Sequence, residues 1–318
     1  VELLQKIYVS HYLNRLYPYL KDKRVEKLTK EETGEVVTKT KALVLHKVGD
    51  VARLQTDSMI ISSFINVTVN GFVDNYNMIM NSAANVVNIV FNSVLSSFGN
   101  LIATESKDRQ YELFKVYRFA ASWIYGFAAV GFAILLTPFI TLWVGAERTL
   151  AFSVIGCILI DFYFKGERIV LSNFKTAAGV FEQDKYLALI QGVVNLVISI
   201  VLVVRIGLVG VYIGTIVSGL IANVTKPIII YHVILDRKAG EYFRDSVKYC
   251  LLLVVQYGIF YGISGIIMKE ITILTFLVMF VIICVVFNGI FLMVFRKAGE
   301  FQYLVTIVRR KIDERKVR

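Results

Sequence analysis

Hydrophobic positions fill the chain in runs of about twenty residues, separated by short polar segments. That alternation predicts helices long enough to cross a hydrocarbon core of about 30 Å. Eight spans are expected, at 42–64, 72–101, 118–142, 150–172, 186–205, 208–235, 247–268 and 271–295. Before them, VELLQKIYVSHYLNRLYPYL (1–20) reads as the last turns of a helix already under way, so the chain is expected to lack an N-terminal part. KDKRVEKLTKEETGEVVTKTK (21–41) is charged and has no apolar face, which predicts an aqueous linker. RKAGEFQYLVTIVRRKIDERKVR (296–318) closes the chain as a basic tail. The expected fold class is an all-α polytopic membrane protein of about eight transmembrane helices.

Polar residues inside the apolar runs follow a helical period. In NYNMIMNSAANVVNIVFN (75–92), Asn77, Asn81, Asn85, Asn88 and Asn92 fall within an arc of roughly 80° and extend for roughly 22 Å. Each amide left unpaired in an apolar medium costs several kcal/mol. The row therefore either cross-bonds neighbouring helices or lines a path for water or sugar hydroxyls. The first span carries His46, Asp50, Arg53 and Asp57 on one face, with Lys47 beside them. Facing lipid, these charges would oppose insertion by roughly 10 kcal/mol, so that face is turned inward, onto an ion-pair ladder or a water-filled path. The fourth span repeats the spacing with Asp161, Lys165, Arg168 and Ser172. If the two stripes meet they form a cationic pocket; the alternative is that Lys165 and Arg168 reach out to the head groups. Gln191 with Asn195, and Thr215 with Gly219 and Asn223, share faces on weaker stripes and are expected to serve packing.

Composition and charge sharpen this reading. A chain of 318 residues that is 56% hydrophobic, with a mean hydropathy of +0.64 and only 19% charged residues, does not match a soluble protein. Twenty-five Lys and Arg residues fall on one side of the expected spans, against Arg148, Arg205 and Lys269 on the other. The positive-inside rule then puts linker and tail in the cytoplasm. The net charge of +11 is explained by anionic lipid, and no nucleic-acid partner is expected. Cys157, Cys250 and Cys284 sit inside apolar runs without metal-type spacing and read as buried thiols. There is no HExxH, GxSxG or glycine-rich phosphate loop, and the outer loops are too short to hold an active site. No enzymatic activity is expected, and a transporter is the natural reading.

Several segments carry a family resemblance: KALVLHKVGD, SSFGNLIATESKDRQYELFK, TPFITLWVG, FKTAAGVFEQDKYLALIQGVVNLVISI and GLVGVYIGTIVS. With them the chain resembles the Wzx-like polysaccharide and O-antigen flippases of the multidrug/oligosaccharidyl-lipid/polysaccharide exporter superfamily. The resemblance implies a two-lobed transporter in the bacterial plasma membrane that moves an undecaprenyl-pyrophosphate-linked oligosaccharide to the outer leaflet. On that analogy 42–235 is the second, six-helix lobe, 236–295 holds two additional helices and 21–41 is the inter-lobe loop. The first lobe would be missing. Implied partners are the lipid-linked oligosaccharide, membrane lipids and other polysaccharide assembly proteins. Arg53, Lys47, Lys165 and Arg168 would meet the pyrophosphate and the asparagines the sugar. Asp50 or Asp57 would bind a coupling proton or sodium ion, and no other cofactor is expected. Rival classes are a drug or cation exporter of the same superfamily and a non-transporting protein of glycan assembly.

Overall fold

A computed structural model describes the backbone of residues 2–21 and 28–316. Side chains at 2, 20, 21, 35, 42, 45–48, 50–54, 308 and 310–316 lie outside that description. The chain divides into two compact units, residues 1–41 and 42–318. It is 87% helix, with no strand among the described residues.

In the first unit, α1 (Glu2–Leu16) is followed by a turn of 3₁₀ helix at Pro18–Lys21. The segment expected to be a linker is helical from Lys30 onward, where α2 (Lys30–Phe64) begins. Its start is fixed by reciprocal capping. The Thr29 amide donates to the Glu32 carboxylate at 2.8 Å, and the Glu32 amide donates to Thr29 Oγ1 at 3.2 Å. Those hydrogen bonds hold the Glu32 carboxyl below its ordinary range.

The second unit continues with α3 (Val67–Asn92), α4 (Leu95–Thr104), α5 (Lys107–Val144), α6 (Phe152–Ala177), α7 (Leu187–Ile206), α8 (Leu208–Val233), α9 (Gly240–Ile267), α10 (Ile273–Phe295) and α11 (Gly299–Lys316). Among the described residues, six stretches are long and apolar enough to cross a membrane: α3 with α4, and α5, α7, α8, α9 and α10. Their outward positions, such as Val204, Val254, Ile266 and Val285, are exposed, an apolar surface that only lipid would cover. This is a helical membrane protein. The fourth expected span corresponds to α6, which carries five charged residues and so falls outside that group. In α2, the first expected span, the side chains of His46, Lys47, Asp50 and Arg53 lie outside the described residues, while that of Asp57 is described.

The second span begins earlier than its hydrophobicity suggests, because the Asn66 side chain accepts from the Thr68 amide at 2.7 Å and caps α3. It then breaks at Ser93–Val94 before α4. Similarly, α5 is capped by Ser106 rather than starting at 118, and its 38 residues extend for roughly 57 Å, well beyond the hydrocarbon thickness. Two buried clusters hold the second unit together. One fills the middle of the bundle around Tyr76, Phe119 and Phe287. The other is an aromatic knot of Phe98, Phe114, Phe174 and Tyr231 joining α4 and the start of α5 to the ends of α6 and α8.

Between α7 and α8 there is a single residue, Gly207, at φ 62°. Glycine adopts that left-handed conformation without Cβ strain, so the chain reverses at once. The hairpin then closes on three polar rungs. Ser199 Oγ donates to the Val211 carbonyl at 3.0 Å, Asn195 Nδ2 to Thr215 Oγ1 at 3.0 Å, and Gln191 Nε2 to the Ser218 carbonyl at 2.8 Å. Gly210 and Gly214 make the approach possible, since a Cβ there would collide with Leu202 and Ser199.

Candidate functional site

A cavity of about 470 Å³ lies within the second unit, walled by α2, α3 and α6 with contributions from α5 and α8. The asparagine row of α3 opens onto it. Tyr76, fully buried on another face of α3, accepts a hydrogen bond from the Leu150 amide at 3.1 Å and so helps fix the rotation of the helix. That rotation turns Asn77, Asn81, Asn85 and Asn88 to the cavity. Asn92 is exposed beyond it, at the end of α3. Only part of the row is engaged. Asn88 Oδ1 accepts from the Tyr125 hydroxyl at 2.6 Å, whereas Asn81 and Asn85 are exposed and hydrogen-bond to no described residue. A row serving as a packing seam would have its amides paired across to neighbouring helices. This one presents free donors and acceptors to open space.

Opposite the amides stand the carboxylates. Asp57 of α2 accepts from the Thr215 hydroxyl at 2.7 Å, and Thr215 in turn accepts from Asn195. The remaining oxygen of Asp57 and the side-chain oxygen of Asn195 are both buried and accept no hydrogen bond from the described residues. Asp161 pairs with Lys165 at 2.5 Å, and Asp74 lines the rim of α3. The described lining thus holds three carboxylates and one ammonium.

Comparison of the chain with protein-family models, with curated proteins and with solved structures finds no match.

Of the residues marked out by sequence, the structure brings together Asp57, Asn77, Asn81, Asn85, Asn88, Asp161 and Lys165 around one space. Arg168 does not join them. It is buried against α8, donating to the Gly219 carbonyl at 2.8 Å and to the Asn223 side chain. The side chains of His46, Lys47, Asp50 and Arg53 lie outside the described residues. Among the described residues there is no group of three or more His, Cys, Asp or Glu that could hold a metal ion. The three cysteines are free and half-buried rather than fully buried.

Sequence reasoning missed Tyr125 and Tyr212, which line the cavity without any polar periodicity to mark them. It also assigned Asn195 and Thr215 to packing, although Thr215 reaches Asp57 as well as Asn195. A second polar cluster went unnoticed. Arg118, buried and stacked 3.6 Å from the Tyr242 ring, donates to Ser246 Oγ at 2.6 Å, and Ser246 donates to Glu167 at 3.0 Å. This serine-bridged charge pair joins α5, α6 and α9 outside the cavity. Glu167 stands beside Arg168 in sequence but on another side of α6, a position that a search for one stripe does not sample.

Proposed function

We propose that this chain forms the substrate path of a transporter that flips a lipid-linked oligosaccharide across the cell membrane for surface polysaccharide assembly. The substrate class is an undecaprenyl-pyrophosphate-linked repeat unit, and the linker and basic tail lie on the cytoplasmic side. The observation that carries the reading is the amide row facing open space, with Asn81 and Asn85 unengaged. A sugar hydroxyl both donates and accepts, and a carboxamide offers both partners. The cavity volume falls within the roughly 300–1,000 Å³ of sites that hold small ligands. Of the eight expected spans, α2 and α6 bring the charged stripes, and such helices persist in a membrane where they face water or a substrate path. Transport is ion-coupled on this reading. The unpaired oxygens of Asp57 and Asn195, with the Thr215 hydroxyl, supply a buried oxygen set for a proton or a sodium ion.

One observation favours a second reading. The described lining has more carboxylates than cations, which suits an organic cation and hence a drug or cation antiporter. Cells producing the protein separate the two. On the first reading, Asn81→Leu with Asn85→Leu abolishes surface glycan while efflux of a cationic dye does not change. Surface glycan at the wild-type level with dye efflux lost would give the second reading the site. Loss of neither would remove both.

A further inference from the structure

The amides of α3 are equivalent in sequence but not in the structure. Asn81 and Asn85 bond to no described residue, so each can turn to offer a donor or an acceptor to whatever enters the cavity. Asn88 cannot. Its Oδ1 accepts from the Tyr125 hydroxyl at 2.6 Å. Tyr125 is itself buried, its ring seated against Gly166 of α6 and 5.5 Å from the ring of Phe162. With the oxygen committed, Asn88 is left with its Nδ2, whose hydrogens meet no described acceptor. The cavity-facing part of the row therefore ends, toward α4, in a fixed donor.

The surroundings of that donor narrow what it reads. Phe162, packed on Tyr125, and Ile169, on the turn of α6 after Gly166, give this end of the cavity an apolar wall. Asn85, one turn back on the same face of α3, adds an amide oxygen. A fixed N–H, an apolar wall and an amide oxygen match the three parts of an acetamido group: its carbonyl, its methyl and its N–H. A bare hydroxyl satisfies the fixed donor but leaves the wall uncovered.

We propose that this end of the cavity recognises an N-acetylated amino sugar, its acetamido carbonyl accepting from Asn88 Nδ2 and its methyl lying against Phe162 and Ile169. The proposal names the sugar class within the transport reading and rests on it. Tyr125 enters as a positioning residue, acting through the amide it holds.

Equilibrium dialysis of the purified protein in mixed micelles tests it with three labelled probes. These are a polyprenyl pyrophosphate carrying N-acetylglucosamine, one carrying glucose, and the same lipid without sugar. The wild type should bind the acetamido form about tenfold more tightly than the hydroxyl form, through one better-placed hydrogen bond and one buried methyl. Tyr125→Phe keeps the ring but frees Asn88 to turn, and should bring that ratio down to roughly fourfold or less, the share of the methyl. Asn88→Ala, with Tyr125 intact, should do the same. The ratio is the readout because a damaged fold weakens both sugar probes alike. Asn81→Leu with Asn85→Leu should weaken both toward the sugar-free lipid. Equal affinity of the wild type for the two sugars overturns the proposal, as does a ratio that neither Tyr125→Phe nor Asn88→Ala lowers. In either case, binding above the sugar-free lipid would keep the transport reading. If neither sugar is bound above the sugar-free lipid, the transport reading and the proposal fall together.

Discussion

Gly166 of α6 is the tightest test of how the central cavity is built. A Cβ at this position would overlap the ring of Tyr125, and the nearest atoms are the rigid base of that side chain rather than its tip. The same tyrosine donates its hydroxyl to Asn88. Helix propensity alone predicts that Gly166→Ala stabilises the protein by about 1 kcal/mol. The collision predicts the opposite. Overpacking costs about 1–3 kcal/mol, and displacing Tyr125 from Asn88 forfeits about 0.5–1.5 kcal/mol more. The net expectation is a destabilisation of roughly 1–3 kcal/mol, read as an earlier transition when the protein is titrated with SDS in mixed micelles. Pairing the substitution with Tyr125→Ala makes the argument specific. Once the ring is gone, Gly166→Ala should become neutral or stabilising by about 1 kcal/mol, which gives a coupling of roughly 1–4 kcal/mol between the two sites. A stabilised single mutant, or additive effects in the pair, would refute the geometry on which the placement of Asn88 depends.

Other expectations follow from the same contacts. Lys175→Met removes the ammonium held against the buried Asp184 carboxylate and should cost roughly 3–5 kcal/mol in SDS titration, with much of the loss restored by adding Asp184→Asn. The carboxyl of Glu32 is held below its ordinary range, so the capping it supports is complete above that range and is lost as pH falls through the lowered value. The protection of the Thr29 and Glu32 amides relative to their intrinsic exchange should therefore fall in acid, and Glu32→Gln should remove the dependence. In a Cys157, Cys250 and Cys284→Ser background, Asn85→Cys should react with a membrane-impermeant thiol reagent applied from one side of the membrane; protection from both sides would return the amide row to a packing role. Thr215→Val removes the hydroxyl between Asn195 and Asp57 and should abolish ion dependence of transport while glycolipid binding persists.

The helices were legible because apolar runs of membrane length have few alternatives. Their ends were less so. Capping by Asn66 and Ser106 extends α3 and α5 past the limits of hydrophobicity, and the break at Ser93 leaves no strong mark in an otherwise apolar run. The asparagine row was legible because five identical residues at helical spacing define a face without any knowledge of neighbours. What a face meets is not written in its period. Lys165 and Arg168 share a stripe, yet one lines the cavity and the other braces α8. Likewise the hydroxyl that reaches Asp57 comes from Thr215, on a helix far along the chain, and only tertiary contact reveals it.

The hairpin of α7 and α8 bears on how the protein reaches the bilayer. A junction of one residue offers no loop that could be threaded across separately, so the two helices must leave the insertion machinery together. Partitioning alone, α7 would carry the Gln191, Asn195 and Ser199 side chains uncompensated into hydrocarbon. Partitioning as a pair, those three donors find their acceptors on α8 before lipid surrounds them. The pair thus enters the bilayer as a small preassembled module, and the Thr215 hydroxyl that meets Asp57 arrives already held by Asn195 within it.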